Sequence, residues 1–379
     1  MTRILTTHTG SLPRPEDLIA LLRQRDAGGA TDAAACTARV GSAVDDVVRK
    51  QRAVGLDIVN DGEQGKPDYS TYIKDRLTGF DGESAAPVPG ADLTEFPEFA
   101  AARSRTRPFV TQPTCSGPLA WKTWTAVEED IARLRRAAAA AGAAQVFMTA
   151  VSPGQAARFL VNRYYPSHEA YVWALADVLE REYAAIVGAG FILQLDCPDL
   201  ASGRNNQFQD LTLDEFRKVV AMHVEALNHA VAGLPPERMR LHVCWGNYEG
   251  PHHRDVPLAD IIDIVLAARP AGLSIEAANP RHAHEWRLFE TVRLPEGKML
   301  IPGVLDTTTN FIEHPELVAQ RLLRYARLVN AENVIAGADC GFATFAGTPT
   351  VDPRIAWAKL EAMVEGARLA SREVSHGKD

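Results

Sequence analysis

Short apolar runs rich in β-branched residues alternate along the chain with longer segments in which apolar residues recur three and four apart. The first pattern reads as strand and the second as amphipathic helix, and their alternation predicts βα units around a parallel sheet. Residues 4–9, 57–61, 108–114, 145–150, 191–196, 240–244, 272–276, 299–306 and 333–339 are the candidate strands. These nine exceed by one the positions of a (β/α)8 barrel, and 108–114 is the one assigned outside it. Residues 126–141, 167–187, 212–232, 258–268 and 315–329 are the clearest helices, with Thr212 and Glu215 spaced as a capping box. Gly190, Gly233 and Gly272 fall near helix exits, where left-handed backbone is wanted. Residues 81–107, rich in Pro, Gly, Ala and acids, read as a long early βα insertion.

The expected fold is therefore a single (β/α)8 TIM barrel over residues 1–379, without a second domain. Hydrophobic residues at 46% and charged residues at 23% can supply a full core, which argues against a disordered chain. The net charge of −8 is modest and the basic residues are scattered, so no nucleic-acid partner is expected. No apolar run approaches the length of about 18 residues that would suggest a membrane span, and the start lacks the pattern of a signal peptide. A cytoplasmic protein with small-molecule partners is expected, and homo-oligomerisation is compatible with the sequence. Five cysteines spread over the chain do not form a disulfide framework and remain available for metal or catalysis.

A barrel of this kind presents its chemistry at the C-terminal ends of its strands. Such ends carry Thr9-Gly10-Ser11, Asp61-Gly62-Glu63, Asp196-Cys197-Pro198-Asp199, His242-Val243-Cys244, Glu276 and Asp339-Cys340-Gly341. His242 and Cys244, two apart on one strand, share a face. Together with strand-end Glu276 and Cys340 they offer an imidazole, two thiols and a carboxylate, a set that suits tetrahedral zinc better than calcium or magnesium. A packed core strand with a buried cysteine also explains His-x-Cys taken alone.

The order Thr9–Pro13 (Thr-Gly-Ser-Leu-Pro), Asp61-Gly62-Glu63, Leu195-Asp-x-Pro198, His242-x-Cys244, Ile275-Glu276, Gly303-Val-x-Asp306 and Asp339-Cys340-Gly341 resembles the catalytic barrel of cobalamin-independent methionine synthase. Short single-barrel relatives that include epoxyalkane:coenzyme M transferase are similar to it. The resemblance implies that His242, Cys244, Glu276 and Cys340 hold zinc, and that Ser11, Glu63 and Asp196 hold the carboxylate and ammonium of a homocysteine-like thiol. Glu63 and Asp196 also fit rim carboxylates that cap loops, and Ser11 also fits a tight turn.

Bound zinc favours the thiolate of a thiol whose free pKa is about 8.5. Four protein ligands leave no open position, so Glu276 is expected to yield to the incoming thiol, a hard oxygen competing least well with soft sulfur. The full synthase carries a histidine shortly after Gly-Val-x-Asp, associated with protonating methylfolate's leaving group; here the chain reads Gly-Val-Leu-Asp-Thr-Thr-Thr-Asn. That departure argues against methyltetrahydrofolate and leaves a methyl donor needing no such acid, or a strained epoxide, compatible with a zinc thiolate. Two other readings stand beside methyl transfer: opening of an epoxide by a zinc-bound thiolate, with Lys66, Arg204 or residues 307–309 meeting the alkoxide, and a non-catalytic barrel that binds zinc or a corrinoid partner. His252 and His253 read as a solvated loop pair, Cys36, Cys115 and Cys197 as packing residues. Trp121, Trp124, Tyr164 and Tyr165 fit either packing or an electrophile pocket.

Overall fold

The computed structural model describes residues 3–29, 32–84, 88–103 and 110–376. Its strands are β1 (Leu5–Thr6), β2 (Ile58–Val59), β3 (Gln145–Val151), β4 (Ile192–Asp196), β5 (Met239–Val243), β6 (Gly272–Glu276), β7 (Met299–Gly303) and β8 (Ile335–Ala336). Among the described residues, β2 to β7 form a parallel sheet in sequential order, and β1 pairs in parallel with β8. Parallel bridges from Leu300 to Val334 and from Gly303 to Gly337 join β7 to the β8 segment. The Asp57 amide donates to the Thr6 carbonyl at 3.2 Å, so the sheet curls back toward its first strand. The architecture is α/β with a curled parallel sheet, consistent with a TIM-like barrel.

Eight of the nine expected strand segments carry a strand. Of 108–114, residues 108 and 109 lie outside the described residues and the remainder forms no strand, with only an isolated bridge from Pro113 to Ser84. The first, second and last strands are shorter than expected because side chains take over hydrogen bonds there. Asp57 accepts from the Thr6 amide at 2.9 Å, the Thr7 hydroxyl donates to the Ile58 carbonyl, and the Thr9 hydroxyl donates to the Ala338 carbonyl.

The helices are α1 (Glu16–Asp26), α2 (Ala33–Val54), α3 (Ala91–Thr94), α4 (Pro97–Arg103), α5 (Thr125–Ala140), α6 (Pro153–Phe159), α7 (His168–Gly188), α8 (Leu213–Ala230), α9 (Ile262–Leu266), α10 (Pro315–Val329) and α11 (Pro353–His376). The capping box forms at the start of α8, where Glu215 accepts from the Thr212 amide at 2.8 Å and Thr212 accepts from the Glu215 amide. Residues 258–268 give only the single turn α9 after a 3-10 turn, a correction to the longer helix expected there. Gly190 adopts φ 86°, as helix exit requires. Gly272 does not; it opens β6, where a Cβ would lie 2.7 Å from that of Arg240. No helix among the described residues is long and apolar enough to cross a membrane.

Inside the curl, Ile58, Phe147, Ile301 and Ile335 cluster with Leu5, Ile192 and Met299 against them. Arg240 lies on top of this layer, its guanidinium 3.7 Å from the centre of the Phe147 ring. It donates to Gln194 on β4 and to the Thr7 hydroxyl and His8 carbonyl after β1, at 2.7, 2.9 and 2.8 Å. One cation thus ties β5 to both β4 and the first strand. Replacing it with an apolar residue strands several buried acceptors, each costing about 1–3 kcal/mol. Arg240→Leu should therefore lower unfolding stability by at least about 3 kcal/mol in urea titration, and an unchanged midpoint would refute this role.

Candidate metal centre

β5 alternates its side chains so that Arg240, His242 and, one step beyond the strand, Cys244 share the inward face. The β8 segment delivers Cys340, whose sulfur is 4.0 Å from that of Cys244. One ligand atom from each of His242, Cys244 and Cys340 lies within 4.8 Å of the others, all three residues being buried. The His242 Nδ1 shares a 3.3 Å hydrogen bond with the Ser274 hydroxyl, while its Nε2 is buried with no hydrogen-bond partner among the described residues. A buried imidazole nitrogen facing two thiols is costly unless something coordinates it. The donor set is soft and nitrogen-bearing, so the residues fit a zinc ion.

Glu276, the last residue of β6, stands beside this trio. Its Oε1 accepts from the Trp245 amide at 2.8 Å and its Oε2 from the Asn279 side chain at 2.8 Å. Asp339 accepts from three successive amides, Ala277, Ala278 and Asn279, at 2.7, 3.0 and 2.6 Å. The residue before Cys340 therefore fixes the loop that follows Glu276.

His242, Cys244 and Cys340 open into a cavity of about 800 Å³ that is also lined by Ser11, Glu63 and Asp196. Glu63 accepts from the Thr149 hydroxyl at 3.0 Å through Oε1, while its buried Oε2 has no hydrogen-bond partner among the described residues. Gly10 has no Cβ because one would lie 2.7 Å from that same Oε1. Asp196 accepts from the Gln194 side chain at 2.8 Å. Burial pushes the Glu63 carboxyl up to about 7 and that of Asp196 up to about 6. Ser11 is buried, and its hydroxyl accepts weakly from the Ala343 amide at 3.4 Å. The structure thus brings six of the seven sequence-selected residues to the cavity, with His242, Cys244 and Cys340 in one compact group, whereas Glu276 belongs neither to that group nor to the cavity lining.

Several other residues stand elsewhere. Arg204 donates to the Phe208 and Gln209 carbonyls and Lys66 to the Thr149 carbonyl, so both are committed to backbone. Of residues 307–309, Thr308 lines the cavity. Trp121, Trp124, Tyr164 and Tyr165 do not line it; Trp121 and Trp124 pack edge to face. His253 is a surface ion-pair partner of Glu95, whereas His252, contrary to the solvated reading, is buried and bonded to Asp255 at 2.7 Å. His252, Asp255 and His282 form a second compact cluster. Sequence reading missed Asn279, Arg158, Tyr69 and Phe345, which neither end a strand nor sit in a motif. The insertion forms part of the roof: Gly90 and Leu93 line the cavity, and buried Asp92 bonds Tyr248, the Asn205 side chain and the His252 amide.

The sequence profile described as the cobalamin-independent synthase, catalytic domain, matches residues 162–369, more than half of the chain. The chain belongs to that family. Among curated relatives of the family, a methionine synthase of Thermococcus kodakarensis is 27% identical over 98% of this chain and 94% of its own length. One of Pyrococcus furiosus is 26% identical over 97% and 93%. A B12-independent methionine synthase from Shewanella sp. W3-18-1, solved with selenomethionine, shares the fold with TM-score 0.75, 21% identity and 99% coverage of both chains. A second such fold, from Listeria monocytogenes and described as a putative vitamin-B12 independent methionine synthase, gives TM-score 0.65 at 18% identity, covering 97% of this chain and 98% of its own.

Residues that orient metal ligands commonly change metal affinity about 10–100-fold when removed. Asp339→Ala should weaken zinc binding by at least about tenfold in chelator competition. Wild-type affinity in a folded variant would show that the Asp339 clamp does not position the ligands.

Proposed function

We propose that the chain is one (β/α)8 barrel over residues 1–379 that transfers a methyl group to the sulfur of homocysteine or a similar thiol, using zinc held by His242, Cys244, Cys340 and Glu276. The observation that carries this reading is the partnerless Nε2 of buried His242, which faces two thiols in the cavity that also contains two buried acids. When bound, zinc supplies the positive charge that keeps a coordinating thiol deprotonated at neutral pH.

The protein's own groups handle the rest of the acceptor. The free Oε2 of Glu63 and the carboxylate of Asp196 receive its ammonium, and the Ser11 hydroxyl donates to its carboxylate. Trp245 and Asn279 hold both oxygens of the Glu276 carboxylate, so that it would be the ligand most readily released if zinc took up a thiol. Gly90 and Leu93 of the insertion form part of the cavity wall. Asp306 spends its carboxylate on the Thr308 amide and hydroxyl, which supports a donor whose leaving group takes no proton from this loop. Epoxide opening loses two of its named alkoxide partners, because Lys66 and Arg204 are both committed to carbonyls, and keeps Thr308, which lines the cavity. A cytoplasmic location accords with small-molecule partners of this kind.

The direct test is metal analysis followed by a methylation assay. About one zinc per chain, lost in Cys340→Ser together with homocysteine methylation, is expected; protein free of zinc after preparation without chelator would overturn the reading. The acids provide a second test. The Glu63 carboxyl is raised from its ordinary 4.5 to about 7 in the folded protein, so its contribution to stability is complete below pH 4.5 and is lost as pH rises through 7. Glu63→Gln should therefore melt higher than wild type at pH 8, the gap closing toward pH 5. The same variant should bind homocysteine at least about 30-fold more weakly, since removing one member of a buried charged pair costs about 2 kcal/mol or more. In wild type, affinity should fall as pH drops from 8 to 6 and the two acids gain protons.

A further inference from the structure

Arg158, near the end of α6, is the one Lys or Arg among the described residues lining the cavity. Its Nη1 donates to the Ser202 hydroxyl at 2.5 Å and, at 3.5 Å, to the Gln155 side chain. No carboxylate of the described residues forms an ion pair with it, and neither Nε nor Nη2 has a protein acceptor among them. The other arginines of the interior are fully committed: Arg14 to three carbonyls, Arg76 to Asp130 and Glu182, and Arg240 to the interior of the sheet. Burial disfavours the Arg158 charge, the Asp199 carboxylate supports it only through space without an ion-pair contact, and the planar donors left over match a carboxylate.

The surroundings of Arg158 add a second feature. Tyr69, Phe159 and Phe345 all line the same cavity, with ring centres 6.1 to 6.3 Å apart. The Arg158 guanidinium lies 5.4 Å from the Phe159 ring centre, and the Tyr69 hydroxyl accepts from Gln155, the residue that also meets Arg158. An apolar aromatic wall therefore runs directly into an uncommitted cation. Glu63, Asp196 and Ser11 already account for the charged groups of an amino-acid thiol, so Arg158 is left without a partner on the acceptor.

We propose that Arg158 with Tyr69, Phe159 and Phe345 forms a donor subsite, which takes a methyl donor bearing a carboxylate next to an apolar or aromatic body. Assigning the subsite to the donor rests on the acceptor reading above; the anion-binding role of Arg158 does not.

The test uses the full chain loaded with zinc and saturated with homocysteine. Zinc content and homocysteine binding, measured first on the same preparation, report on the proposed function alone. Calorimetric titration then compares 3-phenylpropionate with its neutral amide, 3-phenylpropionamide. Wild type should prefer the acid by at least about tenfold, in line with a hydrogen bond to a charged group. Arg158→Gln should erase that preference, Arg158→Lys should retain part of it, and homocysteine affinity should be unchanged in both. Equal binding of acid and amide by wild type, or a preference that survives in Arg158→Gln, would overturn the subsite. Loss of homocysteine affinity in Arg158→Gln, with Arg158→Lys restoring it, would move Arg158 to the acceptor and likewise overturn the donor assignment. If homocysteine fails to bind at all while the acid preference still depends on Arg158, the acceptor reading falls and the anion site stands.

Discussion

A strand sends every second side chain to the same side, and β5 commits three successive inward positions to Arg240, His242 and Cys244. A slip of one residue would turn all three outward. Arg240 resists such a slip, because its guanidinium is fastened to β4 and to the segment after β1 and rests on the Phe147 ring. With the lower position pinned, the two above it are carried to the rim in fixed phase. The register does the remainder: His242 faces Asp196 on β4 and Ser274 on β6. Imidazole, thiol and acid are thus neighbours because of one polar stripe on one strand.

The rim is held together by a different device. Asp339 gathers three amides from the loop after β6, while Asn247 donates to the Gly341 carbonyl from the loop after β5. The segments carrying Cys244, Glu276 and Cys340 are therefore laced to one another independently of any bound ion. Preorganisation of this kind lets the candidate ligands meet on short strands, β8 contributing only two residues of ladder. It also separates two roles that the motif Asp339-Cys340 joins in sequence: the cysteine faces the cavity and the aspartate faces the backbone.

Much of this was legible before the structure. Strand ends bearing reactive residues located His242, Cys244, Glu276, Cys340, Glu63 and Asp196, since period and position are local properties of a sequence. The capping box of α8 was legible for the same reason. Strand lengths were overestimated at β1, β2 and β8, where Asp57, Thr7 and Thr9 replace ladder bonds with side-chain bonds. Such bonds join residues about 50 or several hundred positions apart, and no local pattern announces them. Arg158 was invisible for a related reason: its significance lies in what does not pair with it. The insertion was recognised as a loop, but its anchor, Asp92, depends on Tyr248 and Asn205 far along the chain.

Two histidine clusters in this protein look alike as lists of residues and differ in their hydrogen bonds. In the second, His252 bonds Asp255 and the Tyr248 carbonyl, while His282 bonds Asp255 and Glu285, so all four ring nitrogens are occupied. Burial opposes charge on His282, yet the two carboxylates prevail and push it up to about 10. It is an imidazolium at neutral pH, stacked on Trp245 with ring centres 3.9 Å apart. Trp245 in turn offers its amide to Glu276. This cluster is an ionic support under the rim in which no ring nitrogen is free, although Asp255 keeps one buried oxygen, Oδ1, without a hydrogen-bond partner among the described residues. His242 has the opposite balance, with one nitrogen held by Ser274 and the other left bare toward two thiols. What separates a candidate metal ligand from a structural histidine here is an unspent lone pair, which burial makes costly and coordination would relieve.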